Sequence, residues 1–221
     1  MRLMLIRHGQ TPTNVLGLLD TAVPGPPLTD LGLEQATSLV AALADEKIDA
    51  IVASSQLRAQ QTAAPLAGDR ELPVRVLDGL REIAAGDWEM AGDRPSIRGY
   101  IGLLGRWTGG ELEPASPGPN GESGRSVLHR YDQAIDTAFA DGAETVVAVS
   151  HGAAIRFWAG LRAANLPDDF GVDSPVHNTG VVVLVRNGSD ESWWAESWTG
   201  EAIGGARLDD AAGDGPAADP G

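Results

Sequence analysis

Short apolar, β-like runs that stop abruptly at polar tripeptides, with helix-length stretches between them, most constrain how this chain can fold. Leu3 to Ile6 ends at Arg7-His8-Gly9, Ala50 to Ala53 ends at Ser54-Ser55, and Thr145 to Val149 ends at Ser150-His151-Gly152. Apolar runs this short, without polar alternation, read as strands buried on both faces. A weaker strand is expected at Val74 to Leu77. Val181 to Val185 and Ser192 to Ser197 are expected to pair across the turn-forming Asn187-Gly188. After Thr29, a fair N-cap, Leu31, Ala36, Leu39, Val40 and Leu43 keep a 3.6 period. Ser54-Ser55 introduces another helix, through Arg58 and Thr62 to about Leu66. Ser126 to Ala140 reads as an amphipathic helix, and a further helix follows His151 from Ala153 to about Ala163. Prolines and glycines mark residues 10–28 and 108–126 as loops.

Strands alternating with helices imply an α/β fold, a three-layer α/β/α sandwich around a mainly parallel central sheet. Ligands of such sheets sit outside the carboxyl ends of the strands. His8, Ser54-Ser55 and His151 each follow a strand, so all of them can reach one crevice. Residues 1–199 are expected to form a single domain. Residues 200–221, mostly Gly, Ala, Asp and Pro, are expected to be a disordered acidic tail.

Composition excludes several function classes. The net charge of −15 argues against a nucleic-acid partner, which needs a basic face. No run approaches the roughly 18 apolar residues of a membrane span, so no membrane partner is expected. With no cysteine, thiolate metal sites and cysteine nucleophiles are ruled out. The apolar stretch at the N-terminus is too short for a secretory signal, which makes the cytoplasm the expected location. Whether the chain forms a homodimer is not legible.

Arg7 and His8 at a strand end put a guanidinium fork beside an imidazole, and Gly9 would let the backbone pass close to a ligand. Arg58 sits just inside the helix after the second strand, where amide groups also favour an anion. Arginine forks match phosphoryl oxygens bidentately. Taken singly, a strand-end histidine is more often structural and a helical arginine more often a surface charge. Together they describe a phosphate pocket holding a nitrogen nucleophile. A rival reading makes His8, His151 and Glu82 a two-histidine, one-carboxylate metal site, but cations aimed at the same place oppose it.

Arg7-His8-Gly9-Gln10-Thr11 with Asn14 resembles the signature of the histidine phosphatase superfamily, the phosphoglycerate-mutase-like clan. Ser54 to Ala63, Leu80 to Glu89, Gly121-Glu122-Ser123 and Val149 to Gly152 resemble its further blocks, in the right order. Ser55 stands where proline is usual and Met90 where glycine is usual. The resemblance implies a phosphoglycerate-mutase-like fold and a phosphohistidine at His8. It implies that Arg7, Arg58 and His151 hold the phosphoryl oxygens, with a hydrogen bond from Asn14. Glu82 would be the proton donor and then the base, with no metal or cofactor required.

Glu82 is followed by Ile83-Ala84-Ala85-Gly86-Asp87-Trp88, which resembles the phosphatase branch rather than the mutases. The expected activity is therefore a phosphomonoesterase of the histidine acid phosphatase type, acting on a small phosphorylated metabolite. The alternatives are a mutase-type phosphotransferase and a catalytically silent phosphate-binding module. Asp20-Thr21 departs from the family where relatives carry Gln-Gly or Thr-Gly, and an acid there would either repel phosphate or point outward. Arg94, Arg98, Tyr100, Arg106 and Trp107 are candidates to touch the rest of the substrate.

Overall fold

In the computed structural model, the described residues are 1–167, 170, 174–187, 192–199, 202–203 and 208. The elements run β1 (Arg2–Arg7), α1 (Pro12–Val15), α2 (Asp30–Ala42), β2 (Ala50–Ala53), α3 (Leu57–Asp69) and β3 (Val74–Val76). Short 3-10 turns at Asp78–Leu80 and Gly86–Trp88 precede α4 (Arg94–Thr108). Then come α5 (Gly124–Phe139), β4 (Thr145–Ser150), α6 (Gly152–Arg162), β5 (Val181–Val185) and β6 (Trp194–Thr199).

The six strands form one sheet in the order β3-β2-β4-β1-β5-β6. β1 to β4 are parallel to their neighbours among themselves, and β5 and β6 add an antiparallel edge. Alternation along the central strands sorts the core. Leu3 and Leu5, with Val146 and Ala148, face the side covered by α4, α5 and α6, where Trp107, Tyr131, Phe157 and Trp158 pack. Met4 and Ile6, with Val147 and Val149, face α2 and α3. This is the α/β/α sandwich expected from the sequence. Both faces of the central strands are buried, which explains why their apolar runs are unbroken.

Several boundaries differ from expectation. The loop at 10–28 contains α1, whose N-cap Thr11 and residue Asn14 form a reciprocal capping box. The helix after β2 is entered through Gln56 rather than Ser54-Ser55, and it runs to Asp69 past an internal Pro65. α5 starts two residues early, with Ser123 as its cap. The last strand lies at Trp194–Thr199, not 192–197, and Gly188 of the expected turn is outside the described residues. α4 has no counterpart in the sequence reading. Its Asp93 cap accepts the Ser96 N–H at 3.0 Å, and Tyr100, Leu103, Leu104 and Trp107 form its buried face.

The expected tail lies almost wholly outside the described residues. Of those described, Ala202 and Leu208 are buried. There the Gln35 amide donates to the Leu208 carbonyl at 2.7 Å and the Ser38 hydroxyl to the Ile203 carbonyl at 2.8 Å, both from α2. Among the described residues no helix is long and apolar enough to cross a membrane.

Candidate active site

Strand register brings the site together. Arg7 pairs with Ser150 at the end of β1 and β4, and Ala53 pairs with Val149 at the end of β2. The ladder continues one step beyond, with His8 N–H donating to the Ser150 carbonyl and Ser54 N–H to the Val149 carbonyl, each at 3.0 Å. His8, Ser54 and His151 therefore leave the sheet at one level. The His8 and His151 rings lie 5.1 Å apart between centroids.

The hydrogen bonds of His8 fix its tautomer. Nδ1 lies 2.7 Å from the Gly9 carbonyl, which can only accept, so Nδ1 carries the hydrogen. Nε2 is left with a lone pair, toward which the Arg58 Nε–H points at 3.1 Å. Burial, helped by the nearby Arg58 and Arg7 guanidinium groups, pushes the His8 pKa well below its ordinary value. The ring is neutral at neutral pH, as a nucleophile must be.

Arg58 is 3% exposed and braced on several sides. Its second amino group donates to the Asp20 carbonyl at 3.0 Å. The Cβ of any residue replacing Gly25 would lie 2.4 Å from Nη1, and Gly25 also has φ +67°. The proline-rich loop thus forms a wall behind the guanidinium. Nη1 is buried and has no hydrogen-bond partner. Arg7 donates from Nη1 to the Val176 carbonyl at 2.8 Å and packs its Nε over Gly152 at the start of α6.

His151 stands at the N-cap position of α6 without capping it. Its Nε2 lies 2.8 Å from the Ser54 hydroxyl, which itself accepts the Gln56 N–H at 3.2 Å. The same hydroxyl is placed to donate to Gln56 Oε1 at 3.5 Å, and the second imidazole nitrogen, Nδ1, faces away from it. That buried Nδ1 has no partner. Burial first, then Arg58, lowers the His151 pKa well below normal, so it too is neutral.

Glu82 takes over the capping of α6. One carboxylate oxygen accepts from Ala154 N–H at 2.9 Å and Ile83 N–H at 2.9 Å, the other from Ala153 N–H at 3.2 Å. Its loop is clamped from behind by residues that sequence reasoning did not single out. Arg130 donates to the carbonyls of Gly79, Arg81 and Glu82 at 2.7, 2.8 and 3.1 Å. Glu122, known from the sequence only as part of a short block, accepts from Arg130 at 2.8 Å and from the Ala84 N–H at 3.0 Å. Gln56 bridges the two halves, accepting from Glu82 N–H at 2.9 Å and donating to the Thr21 carbonyl at 2.9 Å.

Arg7, His8, Asn14, Arg58 and Glu82 line one cleft, with Thr11, Thr13, Leu18, Leu19, Asp20, Thr21 and Tyr100. Asn14 is present, but its Oδ1 is used on the Thr11 N–H at 3.1 Å, inside the capping box. Of the candidates for substrate contact only Tyr100 lines the cleft, and its hydroxyl donates to the Ile83 carbonyl at 2.9 Å. Trp107 is in the core and donates to the Pro114 carbonyl, while Arg106 is paired with Glu111. Arg94 and Arg98 do not line the cleft. Gly9 has a different reason from the one expected. A Cβ there would lie 2.6 Å from the Gly32 carbonyl, so its close approach is to α2, not to a ligand. Glu82 is turned onto helix amides, and no group of three metal-ligating side chains occurs among the described residues.

A family model described as the histidine phosphatase superfamily (branch 1) matches residues 3–199. The chain is 39% identical over 220 residues to a PE-PGRS family protein of Mycobacterium tuberculosis, covering 92% of this chain and 37% of that protein. It is 37% identical over 135 residues to the adenosylcobalamin/alpha-ribazole phosphatase of Escherichia coli, covering 61% of this chain and 65% of the relative. The chain thus spans less than two thirds of the length of these two relatives. A solved mycobacterial glucosyl-3-phosphoglycerate phosphatase in complex with VO3 superposes with a TM-score of 0.73 at 26% identity, over 90% of this chain and 98% of that one. With the match running from the first strand to the last, and the two histidines leaving adjacent strands between buried arginines, the chain belongs to the histidine phosphatase superfamily, branch 1.

Proposed function

We propose that this protein hydrolyses phosphomonoesters through a phosphohistidine formed at His8 Nε2, without a metal. One observation carries the reading: a buried, neutral imidazole whose lone pair is fixed on Nε2 and lies against the Arg58 guanidinium. Phosphoryl transfer spreads charge over the equatorial oxygens, so fixed cations and donors supply most of the catalysis. Arg7 and Arg58 provide the charge, the His151 ring stands beside His8 with its centroid 5.1 Å away, and Asn14 Nδ2 can add a hydrogen bond.

In the first step the Nε2 lone pair attacks phosphorus and the phosphorus–ester oxygen bond breaks. The departing oxygen takes a proton from the Glu82 carboxyl. In the second step the Glu82 carboxylate takes a proton from water, the water oxygen attacks phosphorus, and the phosphorus–nitrogen bond breaks. Phosphate leaves and His8 regains its lone pair. Arg58 Nε–H must move from Nε2 to a phosphoryl oxygen before the attack, because both cannot use the same direction.

The substrate class is a small phosphorylated metabolite. The cleft is lined by side chains from separate segments, and two of the three relatives named above are phosphatases of phosphorylated metabolites. Quenching the reaction with a labelled phosphomonoester should leave an acid-labile, base-stable label on the peptide containing His8. Label on another residue, or turnover with no labelled intermediate, would overturn the proposal. A silent phosphate-binding module would give neither label nor turnover.

A further inference from the structure

Asp20 interrupts a cleft otherwise suited to anions. Its side chain is 10% exposed, lines the cleft and lies 3.9 Å from Arg58 Nη1. That distance is too long for a hydrogen bond, and among the described residues the Asp20 carboxylate accepts none. A cleft-lining carboxylate held only by a long ion pair, and a buried guanidinium nitrogen without a hydrogen bond, Arg58 Nη1, therefore stand side by side at the cleft. The position is not loose. The Asp20 carbonyl takes the other Arg58 amino group at 3.0 Å. The next residue, Thr21, donates its N–H to Glu89 at 2.9 Å, and its hydroxyl also bonds Glu89.

A phosphoryl oxygen about 3 Å from Nη1 brings the ester within reach of this carboxylate. Two negative groups then face each other in a site largely closed to water, where their repulsion is weakly screened. The repulsion is relieved when the alcohol part of the ester carries a hydrogen-bond donor beside the phosphate, because the carboxylate can accept from it. Buried acceptors left without a partner discriminate strongly against the molecule that fails to supply one.

Building on the phosphatase reading, we propose that Asp20 is a specificity-determining residue. It selects phosphomonoesters with a hydroxyl or ammonium group next to the phosphoester and weakens binding of anions that bring none. Of the two outcomes expected from sequence, an outward-pointing spectator does not describe a side chain that lines the cleft, while repulsion is retained for esters that bring no donor.

The test compares the wild-type protein with Asp20→Asn and Asp20→Ala on p-nitrophenyl phosphate, which has no neighbouring donor, and on glycerol 1-phosphate, which has a vicinal hydroxyl. Both variants should shift the ratio of kcat/KM values toward p-nitrophenyl phosphate by about tenfold, the scale of one lost hydrogen bond to a charged group. Calorimetry should show inorganic phosphate binding several-fold more tightly to the variants. A ratio moved by less than about threefold would overturn the proposal. Parallel loss on both esters with weaker phosphate binding would overturn it too, since Asp20 would then only position Arg58. The calorimetric arm does not depend on turnover. Absence of hydrolysis by the wild type would count against the phosphatase reading, whereas unchanged phosphate binding in the variants would count against the role of Asp20.

Discussion

The candidate site has two halves built by different means. The half with His8 and His151 hangs from β1 and β4, whose ladder runs without a break from Arg2–Thr145 to Arg7–Ser150. A one-residue slip would turn every core side chain of β1 to the wrong face, so the two imidazoles are placed by the same burial that stabilises the sheet. The half with Glu82 belongs to no strand or α-helix. It is held by side chains reaching backbone atoms: Arg130 and Glu122 behind it, Gln56 and the α6 amides in front. The sheet thus fixes the proposed nucleophile as part of the fold, while the proposed proton donor depends on a few polar contacts that can change one at a time.

The largest expected effect tests the sheet-built half. His8→Asn should lower kcat by about four orders of magnitude or more, as loss of a nucleophile does, while inorganic phosphate still binds within a few-fold of the wild type. Residual turnover near a hundredth of the wild type would move the nucleophile elsewhere. Next, Glu82→Gln should cost about a hundred- to ten-thousandfold on an alkyl phosphate, whose leaving oxygen needs a proton. The loss should be far smaller on p-nitrophenyl phosphate. Equal losses on both would remove Glu82 from that role.

Glu122→Gln should reproduce the Glu82 pattern in weaker form, about ten- to a hundredfold in kcat for the alkyl ester with KM little changed. Glu122 does not line the cleft and would act by positioning the loop that carries Glu82. A loss that ignores the leaving group would reduce it to a structural residue. The smallest effect concerns pH. His8 and His151 have folded pKa values depressed by burial and by the arginines. The unfolded chain therefore binds protons more readily below about pH 6.5. Stability present above that pH should fall as pH drops toward the folded values, and Tm should fall with it. In His151→Asn the acid-side decline should be shallower, and an unchanged slope would show that the ring is not buried neutral.

What was legible in the sequence follows the same division. The unbroken apolar runs of β1 and β4 and the tripeptides that end them announced both the sheet and the two histidines, because burial on both faces leaves a local mark. α3 was legible through Arg58 and Thr62. The contacts of Arg130 with the acid loop left no such mark, since those partners are carbonyls some fifty residues earlier in the chain. α4 was hidden by Gly99, Gly102 and Gly105, which lower helix propensity, although the apolar spacing of Tyr100, Leu103, Leu104 and Trp107 was there to be counted. Gly9 looked like room for a ligand because nothing nearby in sequence points to Gly32. The departure at Asp20 was visible, but its pairing with Arg58 needed the folded loop.

The bond from Arg58 Nε to His8 Nε2 has a consequence for the protein at rest. With no anion to draw the guanidinium away, the reactive nitrogen is veiled, and indiscriminate electrophiles such as acylating reagents find it guarded. The anion that is to be processed is also the agent that lifts the veil. Chemical latency of this kind lets an imidazole persist unmodified until an anion arrives.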